Sequence, residues 1–166
     1  MLAGTVFVGL SAQIEAPLWP VPVTMQTFAV LVIGMAYGGR LGAATLALYL
    51  AEGAIGLPVF AGGTGGIWVL VGPTGGYLVG FVAAAGIVGA LAQRGWDRNV
   101  ALTAAGMLIG NVVLYVPGLL WLAKFTGADQ AVALGLAPFL VGDALKVALA
   151  ACLMPLAWRV VGRRRG

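Results

Sequence analysis

Apolar residues run almost unbroken along this chain, in stretches separated by short groups of glycine, proline or charged residues. Apolar stretches that approach or exceed the roughly 20 residues needed to cross a bilayer predict transmembrane helices. Six such stretches can be marked, at residues 1–16, 24–37, 41–54, 68–91, 100–124 and 133–161. Prolines break the chain between the first two, and the fourth is interrupted at Gly72-Pro73 and Gly75-Gly76. The pattern predicts an all-α membrane protein, a compact bundle of six transmembrane helices.

The composition agrees with a chain dissolved in lipid. Of 166 residues, 61% are hydrophobic and 8% are charged, whereas a soluble domain carries roughly 25% charged residues. So few charges could not cover a surface that faces water. At about 20 residues per crossing, residues 1–166 are filled by one transmembrane domain, which we expect in the cell membrane.

The arginines predict how the bundle is oriented. They lie in the gaps after the second and fourth stretches and at the C-terminus, at positions Arg40, Arg94, Arg98, Arg159, Arg163, Arg164 and Arg165. With six crossings, all these places fall on the side of the two termini, which the positive-inside rule makes the cytoplasm. The net charge of +4 is therefore a topology signal, and it predicts no nucleic-acid partner.

The segment at residues 56–66, the Gly-rich loop, lies between the third and fourth predicted helices and so faces outward. It is too apolar for an ordinary wet loop and too rich in glycine for a stable helix. Irregular backbone near a membrane is tolerated where it is buried in protein or lines a cavity. We expect this loop to close over a ligand, with Gly63, Gly65 and Gly66 in contact with it. The alternative is a tight structural turn, whereas a phosphate loop is excluded because no lysine follows the glycines.

Asp143 and Lys146 are an acid and a base deep in one apolar stretch. Three residues apart, they share a helix face, and the cost of a charge in lipid predicts that they face the bundle interior. They indicate a polar ligand site open to the outside, or a structural ion pair that locks the last helix. Gln26, Trp68 and Tyr77 complete the predicted site, although Trp and Tyr also favour membrane interfaces without any ligand.

Catalysis is disfavoured by what the chain lacks. It contains no histidine and a single cysteine, so a Ser-His-Asp triad cannot form and zinc, haem or copper would find almost no ligands. We expect no enzyme, no metal and no cofactor in this chain. If ATP drives it, another chain must hydrolyse the ATP.

Four segments in order resemble the BioY family, the biotin-specific substrate-binding membrane components of energy-coupling factor transporters. They are PVPVTMQT at 20–27, GLPVFAGGTGG at 56–66, GPTGGYLVGF at 72–81, and Pro138-Phe139 followed by GDALK at 142–146. The resemblance implies a six-helix bundle that binds biotin from outside, in a pocket capped by the Gly-rich loop. It also implies that Asp143 and Lys146 bind the polar groups of biotin.

The partners implied by the resemblance are a transmembrane coupling protein and two ATPases, although some family members occur without a dedicated module. A self-sufficient secondary transporter or channel is the main alternative, suggested by the charged pair in the membrane. An intramembrane enzyme or assembly factor is a third class, and a homo-oligomer is left open by the sequence.

Overall fold

The computed structural model describes the backbone of residues 1–163 and the side chains of residues 1–158. The arginine cluster at the C-terminus, from Arg159 to Arg165, therefore carries side chains outside the described residues. The sidedness predicted from it stays a prediction.

The described chain is predominantly helical, which confirms the all-α fold class. Its helices are α1 (Leu2–Ala12), α2 (Gln26–Tyr37), α3 (Gly39–Ala54), α4 (Ile67–Val71), α5 (Gly75–Gln93), α6 (Val100–Thr126), α7 (Ala128–Gly135) and α8 (Leu140–Arg163). A small antiparallel hairpin joins α1 to α2, in which β1 (Glu15–Ala16) pairs with β2 (Val23–Thr24). The predicted interruption of the fourth stretch is confirmed as the break between α4 and α5.

Two predicted boundaries are wrong. The first stretch was expected to be helical to residue 16, but α1 ends at Ala12 and the chain becomes extended. The prolines that follow favour extended backbone in the residues before them, which suits the hairpin. Between the fifth and sixth stretches the sequence predicts a polar turn at 126–130, but α6 runs to Thr126 and α7 starts at Ala128. Gly127, with φ +84°, makes the whole turn, because glycine adopts this left-handed backbone without strain.

Within the residues that the structure describes, three helical segments are long and apolar enough to cross a membrane, namely α5, α6 and residues 128–158. The helices α1, α2 and α3 have 11, 12 and 16 residues, which is about 17 to 24 Å at 1.5 Å per residue. That is shorter than the roughly 30 Å hydrocarbon core. The count of six crossings therefore stays a prediction.

Helix α5 lies at the centre of the bundle and packs against α2, α3 and α6. Glycines let the backbones approach closely: a methyl group at Gly34 of α2 would lie 2.7 Å from the carbonyl oxygen of Ala85 in α5. Such small residues are how helices pack when lipid supplies no hydrophobic drive between them. Helix α8 closes the bundle against α6 and α2, which brings its charged pair beside the start of α2.

Candidate functional site

A cavity of about 190 Å³ lies under the Gly-rich loop at one end of the bundle. Its polar wall comes from the start of α2 and the middle of α6, and the remaining walls are mostly apolar. The lining residues are Val21, Pro22, Thr24, Gln26, Thr27, Phe60, Ala61, Thr64, Val69, Thr74, Tyr77, Leu78, Phe81, Leu114, Tyr115 and Phe139. An apolar cavity with a few converging polar groups is the usual form of a small-molecule site.

Asp143 and Lys146 form a buried ion pair beside this cavity. The two residues are only 5% and 8% exposed, and the distance from Lys146 Nζ to Asp143 Oδ1 is 3.0 Å. Lys146 Nζ also donates to the carbonyl oxygen of Thr24 at 2.7 Å and to Thr27 Oγ1 at 2.8 Å. These bonds use all three ammonium hydrogens, and the two charges compensate each other. The prediction that the pair faces the bundle interior is confirmed.

The pair lies behind the cavity wall and not on it. Among the described residues that line the cavity, Thr27 and Tyr115 are the ones whose side chains hydrogen-bond to Asp143. Thr27 Oγ1 donates to Asp143 Oδ1 at 3.2 Å, and the Tyr115 hydroxyl donates to Asp143 Oδ2. The charged side chains themselves are predicted from the sequence to meet a ligand, whereas in this structure two hydroxyl groups lie between them and the cavity.

The carboxylate of Asp143 fixes the direction of the hydrogen bonds that these two hydroxyl groups make. An ionised carboxylate can only accept hydrogen bonds, so Thr27 and Tyr115 must each direct their single hydrogen towards Asp143. Thr27 Oγ1 also accepts from Lys146 Nζ, so it keeps one lone pair for a ligand, whereas the lone pairs of the Tyr115 oxygen remain for a ligand. The polar wall is thus set to accept hydrogen bonds from N–H or O–H groups. The signal in the sequence was weak, since a Thr or a Tyr in an apolar stretch is equally typical of packing or of a membrane interface.

Gln26 and Tyr77, two of the residues predicted to contact a ligand, also line the cavity, and their contact with a ligand stays a prediction. Gln26 Oε1 accepts from Thr24 Oγ1 at 3.1 Å, and its Nε2 donates to the hydroxyl of Tyr49 at 2.7 Å. The Tyr77 hydroxyl donates to the carbonyl oxygen of Gly135 at 2.9 Å, so it presents mainly its ring to the cavity. With Tyr115 and Phe139 this ring forms an aromatic wall, with centroids 6.0 to 6.3 Å apart.

The remaining predicted residues lie elsewhere. Gly63 and Gly66 have φ of +65° and +104°, and Gly65 packs against the backbone of Leu57, so these glycines shape the Gly-rich loop. The loop residues that line the cavity are Phe60, Ala61 and Thr64. Trp68 is 69% exposed and is separate from the cavity. Ligand contacts by these four predicted residues stay a prediction.

The Gly-rich loop is nevertheless held firmly over the cavity. The N–H of Gly66 donates to the carbonyl oxygen of Gly53 at 2.7 Å, and Gln13 Nε2 donates to the carbonyl oxygen of Phe60 at 3.0 Å. The ring of Phe60 packs on Gly53, where a methyl group would overlap it. In the part of the chain that the structure describes, no group of three or more His, Cys, Asp or Glu could hold a metal ion.

Comparison with known proteins gives one consistent result. The sequence model of the BioY family matches residues 1–163. The probable biotin transporter BioY of Pyrococcus horikoshii is 42% identical over 141 residues, covering 85% of this chain and 83% of that protein. The biotin transporter BioY of Thermotoga maritima is 37% identical over 150 residues, covering 90% of this chain and 88% of that protein.

A solved structure has the same fold. The S-component for biotin from an ECF-type ABC transporter matches with a TM-score of 0.83 at 23% identity, covering 95% of this chain and 87% of that chain. The long apolar helices and these similarities to membrane transporters make this a multi-pass membrane protein.

Proposed function

Because the chain belongs to the BioY family, whose sequence model matches residues 1–163, we propose that it binds biotin in the cavity and serves biotin uptake. The observation that carries the proposal is the direction of the hydrogen bonds made by two hydroxyl groups in the cavity wall. Tyr115 and Thr27 both donate to the buried carboxylate of Asp143, which leaves their oxygens as acceptors.

Biotin offers the complementary groups. Its ureido ring has two N–H donors, which meet the oxygens of Tyr115 and Thr27. Its thiophane ring and acyl chain suit the apolar walls, which include Leu78, Phe81 and Leu114. An analogue without these N–H groups would leave the Tyr115 oxygen without a hydrogen-bond donor, and a site with such an unpaired buried acceptor rejects the analogue.

Asp143 and Lys146 act in this proposal mainly through other residues. Asp143 orients the two hydroxyl groups, and Lys146 compensates its charge while holding Thr27 and the backbone of Thr24. Direct contact between the charged side chains and biotin, as the family resemblance implies, would require the hydroxyl groups to move aside.

The Gly-rich loop caps the cavity, and the predicted orientation makes that the outer face of the cell membrane. We propose that biotin enters from this face. We propose a membrane coupling protein and two ATPases as partners, with ATP hydrolysed by those ATPases, as the family resemblance implies. The structural neighbour is named as an S-component of an ECF-type ABC transporter, which agrees with a role as one component of a larger transporter.

A self-sufficient secondary transporter is the second candidate, and the buried pair of Asp143 and Lys146 favours it, because charged residues inside a membrane often mark a transport pathway. Uptake of labelled biotin by liposomes that contain only this chain decides between the two. Tight biotin binding without any uptake in the absence of ATPases supports a transporter component that depends on partner ATPases.

The binding proposal itself is tested by calorimetric titration of the purified protein with biotin and with an analogue methylated at both ureido nitrogens. The proposal expects biotin to bind and the methylated analogue to bind at least about tenfold more weakly, which is 1.4 kcal/mol. Equal affinity for the two compounds would contradict the proposal that Tyr115 and Thr27 accept hydrogen bonds from the ureido N–H groups.

A further inference from the structure

A second hydrogen-bonded chain runs from the cavity to the Gly-rich loop through a residue that lines no part of the cavity. Gln26 Nε2 donates to the hydroxyl of Tyr49 at 2.7 Å, and this hydroxyl donates to the carbonyl oxygen of Val59 at 2.8 Å. At the other side of the amide, Thr24 Oγ1 donates to Gln26 Oε1 at 3.1 Å. Tyr49 lies near the end of α3 and is 0% exposed.

The direction of this chain follows from its last member. A backbone carbonyl can only accept, so the hydrogen of Tyr49 must go to Val59. The oxygen of Tyr49 must then accept from Gln26, which requires the amide nitrogen, and not the amide oxygen, to face Tyr49. The amide oxygen therefore faces Thr24. The second N–H of the Gln26 amide has no hydrogen-bond acceptor among the described residues.

The cavity wall therefore carries hydrogen-bond acceptors at one place and a hydrogen-bond donor at another. Tyr115 and Thr27 are fixed as acceptors by the carboxylate of Asp143, and Gln26 is fixed as a donor by Tyr49. A cyclic urea needs this combination, because it carries two N–H donors and one carbonyl oxygen.

Tyr49 also holds the loop itself. The Tyr49 ring packs edge to face against the ring of Phe60, with centroids 5.5 Å apart. Phe60 is the residue after Val59, whose carbonyl oxygen accepts from the Tyr49 hydroxyl. The buried side chain of Tyr49 thus determines both the orientation of the Gln26 amide and the position of the loop at Val59 and Phe60.

We propose that Tyr49 is a positioning residue that determines specificity, by holding Gln26 as the donor to the ligand's ureido oxygen. The inference rests on the proposed function and deepens it. Without the hydroxyl of Tyr49, the amide of Gln26 can turn over and present its oxygen to the ligand instead.

The test compares two ligands across variants. Biotin and its guanidinium analogue, in which an NH₂⁺ group replaces the ureido oxygen, are titrated into the wild-type protein and into Tyr49→Phe, which keeps the ring and removes the hydroxyl. The wild-type protein should prefer biotin, and in Tyr49→Phe this preference should fall by about tenfold or more. Tyr37→Phe makes the same chemical change in α2 away from the cavity and should leave the preference unchanged.

The ratio of affinities separates positioning from a general loss of structure, because a loosened fold weakens both ligands alike. A ratio in Tyr49→Phe equal to that of the wild-type protein, or a wild-type protein that does not discriminate, overturns the inference. If Tyr49→Phe does not fold, Gln26→Glu serves instead. A glutamate offers only acceptors, so this variant should prefer the guanidinium analogue, and a retained preference for biotin overturns the inference.

Failure of the proposed function is distinguishable from failure of this inference. A wild-type protein that binds no biotin overturns both. Tight binding of biotin with an unchanged ratio in Tyr49→Phe overturns the role of Tyr49 alone.

Discussion

Replacing Asp143 with asparagine removes one charge from the buried pair and almost no volume. In the wild-type protein both carboxylate oxygens accept: Oδ1 from Thr27 and Lys146, and Oδ2 from Tyr115. An asparagine has one acceptor oxygen, and its NH₂ group faces one of these donors. Either Thr27 or Tyr115 must then turn its hydrogen away from residue 143, and so loses its fixed role as an acceptor for the ligand.

Two magnitudes follow from this geometry. Lys146 is only 8% exposed, and removing one partner of a buried ion pair typically costs about 3–5 kcal/mol of stability. On the binding side, an N–H of the ligand is left without its acceptor, which costs about 1–3 kcal/mol, a loss of affinity of roughly fivefold to 150-fold. The loss of stability and the loss of affinity therefore arise from different contacts.

A double variant separates the two effects. Asp143→Asn with Lys146→Met removes both charges, so the free energy of unfolding should recover part of what Asp143→Asn loses. The affinity for biotin should remain low, since the hydroxyl groups still lack the carboxylate that orients them. Thermal unfolding in detergent measures the first quantity and calorimetric titration with biotin measures the second. An affinity within about twofold of wild type in Asp143→Asn, or restored in the double variant, would contradict the role of Asp143 in orienting the two hydroxyl groups.

Three further predictions concern the walls and the loop. Tyr115→Phe keeps the aromatic wall but removes one acceptor, so calorimetry should find biotin bound about fivefold to 150-fold more weakly; unchanged affinity would remove Tyr115 from the site. Gly65→Val should raise the rate of biotin dissociation, because a side chain there would overlap the carbonyl of Leu57, whereas Gly142→Ala, in open space, is the control; equal rates in the two variants would show that the loop does not retain the ligand. Trp68→Ala should leave the affinity within about twofold, as expected for a 69% exposed residue, and a tenfold loss in a titration would return Trp68 to the site.

The sequence predicted the features that depend on local chemistry. The break between α4 and α5 follows from glycine and proline, which weaken or end helices wherever they occur. The burial of Asp143 and Lys146 follows from the cost of a charge in lipid. Both features follow from the residues themselves, whatever packs against the helix.

The features that the sequence did not predict depend on how the helices rotate against one another. Thr27 and Asp143 are 116 positions apart, and their contact requires α2 and α8 to face each other at one level. In an apolar bundle both the lipid-facing and the buried faces of a helix are apolar, so the residue pattern hardly distinguishes them. The same ambiguity hid Tyr49 and Tyr115, whose roles become visible only from the partners of their hydroxyl groups.

We propose that the cavity behind the Gly-rich loop holds biotin against hydroxyl groups that Asp143 orients. Mass spectrometry of small molecules released from the purified protein, after growth with biotin, tests it most directly. We expect biotin to be recovered in near-stoichiometric amount from the wild-type protein and to be strongly depleted from Asp143→Asn prepared in parallel. Recovery of a different small molecule in place of biotin, or equal recovery of biotin from both proteins, would contradict it.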